Sequence, residues 1–278
     1  MIMCSLRRQG YGGNEWIATH IAEPAQGRNW QECKEAIRFQ CDKWIDDGLK
    51  CERNLSMEKT FEMKKNDSAF LPQECKSVII GLGWTCPGSI DLDASVVGLK
   101  ENKKESFIVN YGNKIGPGVT HRGDNTTGDG AGDDERIRID LDQVSDKTSE
   151  LYVTINIYTG NTKFNKVKDS YVRLCVADAS SKFGAGHELA DYPLDGNLPC
   201  RGIVFCRLKR HGPKWSFDAL AWGCEGGTVK DEDCMDVIKG KRDPIALQPL
   251  PPGYKRARRG EKPKQAQVAN ATCDCTIF

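Results

Sequence analysis

Between about residue 57 and residue 240, apolar side chains recur at every second position, in one short block after another. Val78, Ile80, Leu82 and Trp84 form the first block, and Ile90, Leu92, Ala94 and Val96 the next. Phe107, Val109 and Tyr111 follow, then Ile137, Ile139 and Leu141, then Leu151, Val153, Ile155 and Ile157. Val172, Leu174 and Val176 make another, and Ile203 with Phe205 and Trp215, Phe217 with Ala219 flank a turn at Arg210–Pro213. Successive side chains of a strand point to opposite faces, so this period predicts strands with one buried face. Few helical patterns interleave. The fold class predicted is therefore mainly β: an antiparallel β-sandwich of about eight strands with a few short helices, not a parallel α/β sheet.

The flanks differ. Residues 1–56 read as an N-terminal extension whose first 28 residues are Gly-rich and are expected to be irregular or disordered. Over residues 29–48, Trp30, Cys33, Ile37, Cys41, Trp44 and Ile45 recur at steps of three and four, which predicts an amphipathic helix. Asn29 and Glu32 suit its start and Gly48 its end. Cys33, Cys41 and Cys51 fit no common zinc spacing and read as buried thiols. Residues 241–278 form a tail with the basic run KRARRGEKPK, a composition that cannot bury a core and predicts a flexible, disordered segment.

Composition narrows the partners. The formal net charge is +1, and the basic run lacks the interleaved aromatics of a nucleic-acid surface, so no nucleic acid is expected. No apolar run approaches the roughly 18 residues of a membrane span, and the N-terminus has no signal-peptide core. The 13 cysteines are then expected as thiols in the cytoplasm. The ending Cys275-Thr276-Ile277-Phe278 fits a C-a-a-X prenylation signal, with Cys273 a second position open to palmitoylation. One prenyl chain holds membrane only marginally. Lys255, Arg256, Arg258, Arg259, Lys262 and Lys264 would add about 1 kcal/mol each on an anionic leaflet. The expectation is a protein peripheral on the cytosolic face of a membrane.

The most informative segment is GDNTTGDGAGDDE, residues 123–135. Asp124, Asp129, Asp133, Asp134 and Glu135 place five carboxylates in it, among four glycines. Such a loop needs full solvation or a cation. Calcium is hard, takes about six to eight oxygens and suits carboxylates and carbonyls on a flexible chain better than magnesium does. Glycine lets carbonyls turn toward one centre. The loop is not an EF-hand: Asp129 stands where that loop demands glycine, and strand-like IRIDL follows it. A solvated acidic turn is the alternative. Asp91 and Asp93 sit at i and i+2 of a predicted strand, so both carboxylates share a face that would supply more oxygens if it lies beside the loop.

Four motifs in order carry a resemblance: Gly81-Leu-Gly-Trp84, Asp91-Leu-Asp-Ala-Ser95, Gly123-Asp-Asn-x-Thr-Gly128 and Gly132-Asp-Asp-Glu135. With Ile155-x-Ile-Tyr158, Phe164, Glu188-Leu-Ala and Trp215-x-Phe217 they closely resemble the TerD (tellurium-resistance) family over about residues 57–240. The resemblance implies a β-sandwich that binds calcium through acidic loops in a stress-response setting, and suggests two ions. The ligands it implies are Asp91, Asp93, Asp124, Asn125, Asp133, Asp134 and Glu135, with Thr127, Gly128 and Gly130 offering hydroxyl or backbone oxygens. Thr85 departs from the family's usual Asp after Gly-Leu-Gly-Trp, which implies a weaker or missing site.

No G-x-S-x-G, Walker or H-E-x-x-H motif occurs, and the four histidines are scattered, so no enzyme is expected. The expected function is a calcium-binding, membrane-tethered binding or scaffold protein with an as yet unidentified protein partner. The alternatives are a small-ligand sensor of the cyclic-nucleotide kind, suggested by the resemblance alone, and a structural sandwich without metal.

Overall fold

The computed structural model describes residues 2–8, 16–23, 54–85, 90–122, 132–158, 160, 162–180, 182–194 and 196–248. The chain divides into two compact units, residues 1–52 and 53–278. In the first, β1 (Ile2–Arg8) pairs antiparallel with β2 (Trp16–Glu23). For residues 2–8 and 16–23 this corrects the expectation of irregular chain; the rest of residues 1–28 lie outside the described residues. Only Gly10–Gly13, between the two strands, has a turn composition, while Trp16, Ile17, Thr19 and Ile21 favour a strand. The helix expected over 29–48 and the basic tail with Cys273 and Cys275 lie outside the described residues.

Among the described residues, the second unit holds thirteen strands in two sheets. They are β3 (Phe61–Glu62), β4 (Ser68–Phe70), β5 (Ser77–Thr85), β6 (Leu92–Leu99), β7 (Glu105–Val109), β8 (Ile115–Gly116) and β9 (Val119–His121). There follow β10 (Glu135–Asp140), β11 (Glu150–Ile157), β12 (Lys168–Ala177), β13 (Ala185–Pro193), β14 (Gly202–His211) and β15 (Lys214–Cys224). A single described α-helix, α1 (Glu232–Ile238), comes last. One sheet runs β3-β13-β12-β5-β10-β9-β8 and the other β4-β15-β14-β11-β6-β7. Between these strands every ladder is antiparallel except the short one of β3 with β13. The predicted antiparallel β-sandwich is the observed fold, and the hairpin at Arg210–Pro213 joins β14 to β15.

The period of two builds the core. Val78, Ile80 and Leu82 of β5 stand in register with Ile139 and Ile137 of β10 and with Val176, Leu174 and Val172 of β12. In the other sheet, Leu92, Ala94 and Val96 of β6 lie beside Ile157, Ile155 and Val153 of β11. The alternate positions of that sheet are covered too. Val97, Leu99 and Tyr152 pack with Met235, Val237 and Ile238 of α1, so β6 and β11 are buried along their whole length. Asp93 therefore stands on a covered face, not an open one.

Polar residues on this sheet are satisfied in pairs. Arg207 reaches Asp218 at 2.8 Å and Glu150 at 3.1 Å, and Lys103 reaches Glu150 at 2.7 Å. Burial works against the Arg207 charge, but the carboxylates of Asp218 and Glu150 and its contact with Tyr152 hold its pKa above the ordinary value.

Candidate functional site

Antiparallel pairing gathers the end of β5, the start of β6, the start of β10 and the end of β11 at one end of the sandwich. Arg122 and Gly132, which flank residues 123–131 in the sequence, are the described residues nearest to that segment. The Arg122 N–H donates to the Arg136 carbonyl at 3.0 Å.

The three consecutive acidic residues that close this segment reach three different strands. Asp133 is turned onto the outer surface of the first sheet, above Gly81. Arg136 and Arg173 flank Gly81 on the two neighbouring strands in register. Arg173 donates to both Asp133 oxygens at 2.6 Å, Arg136 to one at 2.8 Å, and the Tyr171 hydroxyl at 3.3 Å. The Asp133 side chain is fully buried by them. A fork of this kind is the strongest form of carboxylate hydrogen bonding. Burial alone would lower the Arg173 pKa, but the hydrogen bonds and charge of Asp133 more than offset it, so the guanidinium is held above its usual range.

Asp134 joins β5 twice: its N–H donates to the Leu82 carbonyl at 2.8 Å, and its Oδ2 accepts from the Trp84 N–H at 2.9 Å. Glu135 crosses to the other sheet. Its Oε2 accepts from the Ala94 N–H of β6 at 3.0 Å and lies 3.3 Å from Nε2 of His121, both side chains being wholly buried.

The two motif glycines follow from these contacts. A Cβ on Gly81 would stand 2.5 Å from the Asp133 carboxylate, and one on Gly83 2.3 Å from the Tyr171 ring. The Gly-Leu-Gly-Trp motif thus makes room for Asp133 and Tyr171 and supplies the amide that Asp134 accepts. Arg136, Arg173, Tyr171 and His121 complete the arrangement. The resemblance names none of the four, because their importance comes from cross-strand register that spacing along the chain does not reveal.

Asp93 stands opposite Asn156 on β11, and the Asp91 carbonyl accepts from the Tyr158 N–H at 3.1 Å. Asp91, Asp93, Asp134 and Glu135 are thus placed at the same end. Asp133 is there as well, but its carboxylate is given to arginines. Asp124, Asn125, Thr127, Gly128 and Gly130 lie outside the described residues. Among the described residues, no three acidic, histidine or cysteine side chains are grouped so as to hold a metal ion. The composition of residues 123–131 fits calcium, since every side-chain donor in it is a hard oxygen.

An antiparallel sandwich with an acidic segment bolted across one end defines the class of protein. Residues 59–231 match the TerD domain model, and the chain belongs to the TerD family. It is 33% identical over 165 residues to tellurium resistance protein TerD of Serratia marcescens, covering 55% of this chain and 83% of that one. It is 36% identical over 186 residues to tellurium resistance protein TerZ of the same organism, covering 60% and 92%. Stress response protein SCP2 of Bacillus subtilis (strain 168) is 33% identical over 178 residues, covering 55% and 86%. A crystal structure of a TerD homologue from Streptomyces coelicolor A3(2) superposes with a TM-score of 0.47 at 18% identity, covering 56% of this chain and 94% of that one.

Proposed function

We propose that this protein is a calcium-responsive binding protein of the stress-response kind its relatives' names denote, with its input at the acidic end of the sandwich. The observation that carries the reading is the fastening of Asp133, Asp134 and Glu135 to three strands in two sheets. A cation taken up by 123–131 would act on a segment already tied to both sheets. Asp91, Asp93, Asp124, Asn125 and Asp134 are the residues that would hold it, with carbonyl oxygens of Thr127, Gly128 and Gly130. Bound calcium would supply positive charge to carboxylates that otherwise repel one another. Asp133 is better suited to anchoring than to ligation, because both its oxygens face guanidinium donors.

The role is one of binding, not catalysis. Of the histidines, His121 is engaged with Glu135, and His211 contacts the Ser216 hydroxyl at 3.1 Å. The basic residues Lys255, Arg256, Arg258, Arg259, Lys262 and Lys264 are assigned to an anionic membrane surface in the cytoplasm, on their charge alone. Sedimentation with phosphatidylserine vesicles, lost when the six are changed to glutamine, tests that assignment. Retention by the substituted chain removes it. The calcium reading is tested by calorimetric titration of the metal-stripped full chain, with magnesium as control. Saturable heat for calcium that excess magnesium leaves in place supports it. No heat leaves a sandwich that works without metal.

A further inference from the structure

Among the described residues four large apolar side chains are exposed, and two of them, Tyr111 at 44% and Tyr158 at 55%, touch. Their rings meet edge-on, with centroids 6.4 Å apart. Both stand at the acidic end of the sandwich. Ile157 pairs with Leu92, and the Tyr158 N–H donates to the Asp91 carbonyl. Val109 pairs with Val96, so the chain beyond it runs back toward Leu92 and brings Tyr111 alongside. Each tyrosine is fastened at its backbone. The Asn110 side chain accepts from the N–H groups of Gly112 and Asn113 at 3.1 and 2.9 Å, which fixes the turn that carries Tyr111. Arg201 donates to the carbonyls of Ile157 and Tyr158 at 3.0 and 3.3 Å. Exposed rings held in fixed positions bind a partner with little further ordering.

The surroundings of the pair select a cation. Asp91 and Asp93 stand beside it. On the other side, Glu225 and Asp231 are exposed in the loop that follows β15. That loop lies against Arg201: a Cβ on Gly227 would stand 2.5 Å from Arg201 Nη2, and the Gly227 N–H donates to Asp231 Oδ2 at 2.8 Å. Aromatic faces among carboxylates favour arginine and lysine. The chain itself brings such residues to this end. After α1 the backbone returns here, where Ile245 and Gly223 exchange hydrogen bonds at 2.9 and 3.1 Å and Gln248 and Asn197 exchange two at 2.9 Å. Gly223 pairs with Ile203, and Ile203 with Ile155, so β11 lies two strand spacings away, about 10 Å. Lys255 follows Gln248 by seven residues, a reach of about 23–25 Å at full extension. Lys255, Arg256, Arg258, Arg259, Lys262 and Lys264 then follow with one carboxylate, Glu261, among them.

We propose that the Tyr111–Tyr158 pair, with its flanking carboxylates, is the docking site of the basic run 255–264 of the same chain, and that the docked run is withheld from the anionic membrane. Arginines of the run lie over the two rings and lysines reach the carboxylates. Because the run is joined to the site by a short connection, its effective concentration there is in the millimolar range, and weak individual contacts suffice to hold it. The same charges cannot lie on two surfaces at once, so docking and membrane binding exclude each other. The docking does not depend on calcium uptake; its consequence for the membrane rests on the membrane assignment of the basic residues made above.

The test uses the dilute full chain, treated with a carbodiimide that joins lysine amines to carboxylates in contact and mapped by mass spectrometry. The expected map joins Lys255, Lys262 or Lys264 to Asp91, Glu225 or Asp231 within one copy. These links are lost at about 1 M salt, where the screening length falls to about 3 Å. They are also lost in Tyr111→Ser with Tyr158→Ser, two exposed positions whose change leaves the melting temperature as in wild type. Links from the run only to carboxylates of the opposite end, such as Glu101 and Asp146, overturn the proposal. So do links only between copies, or a map that the double variant leaves unchanged. Sedimentation with phosphatidylserine vesicles reads the second half. The double variant should bind severalfold more tightly than wild type, since apparent affinity scales with the undocked fraction. Equal binding by both overturns the withholding. If neither sediments, the membrane assignment fails with it, and the cross-link map still decides the docking.

Discussion

Gly81 lies directly beneath the carboxylate of Asp133: a Cβ at Gly81 would stand 2.5 Å from the Asp133 Cγ. The first family motif and the last are therefore one structural unit. The glycine is required by what stands above it, not by its own backbone angles.

Gly81→Ala is expected to push Asp133 off its arginines and to destabilise the protein by about 1–3 kcal/mol, the usual cost of overfilling a packed site. Urea unfolding of the variant measures this. A midpoint equal to that of wild type would show that Asp133 moves aside without loss.

Arg173→Met removes the bidentate partner of a buried carboxylate. Breaking such a pair from one side costs about 3–5 kcal/mol. The double change Arg173→Met with Asp133→Leu should recover part of the loss, since the stranded charge is gone. A double variant no more stable than Arg173→Met would contradict this reading of the pair.

Glu135 links the sheets through the Ala94 amide and sits beside His121. Glu135→Ala strands a buried donor and should cost about 1–3 kcal/mol, while Glu135→Gln keeps an acceptor for Ala94 and should cost less. Hydrogen exchange at the Ala94 amide separates the two: faster in the alanine variant, close to wild type in the glutamine one.

The Asp140 carboxylate is half-buried, which by itself would raise its pKa, but it accepts from Arg138 at 2.9 Å and from Ser77 at 2.6 Å. The net direction is below its ordinary 3.8. A depressed folded pKa contributes stability above the unfolded value that is lost as pH falls through the folded one. Unfolding free energy should thus drop below pH 3.8, and Asp140→Asn should make that part of the curve shallower. An unchanged slope would remove Asp140 from the acid transition.

Much of the fold was legible because strands with one buried face announce themselves. The blocks read from the sequence correspond to β5, β6, β7, β10, β11, β12, β14 and β15. Others were not. β3 and β8 have two residues and β4 and β9 three, too few to show a period. β13 pairs through two irregularities of register with β12, which break its alternation. The outer face of β6 carries Asp93 and Ser95 and reads as exposed, because nothing local says that α1, more than 130 residues later, packs against that sheet. At the site, carboxylate density was legible, but the division of labour was not. Asp133 and Asp134 are adjacent and chemically identical; only the register that sets Arg136 and Arg173 around Gly81 makes one an anchor.

Calcium uptake at the acidic end is tested most directly by melting the metal-stripped full chain with and without calcium, beside a chain carrying Asp93→Asn and Asp124→Asn. Calcium at about a hundred times its dissociation constant should stabilise the wild type by about 2.7 kcal/mol. The melting temperature should rise, and the doubly substituted chain should show little or no rise. Equal curves for wild type with and without calcium, or an equal rise in both chains, would contradict a calcium site built from these carboxylates.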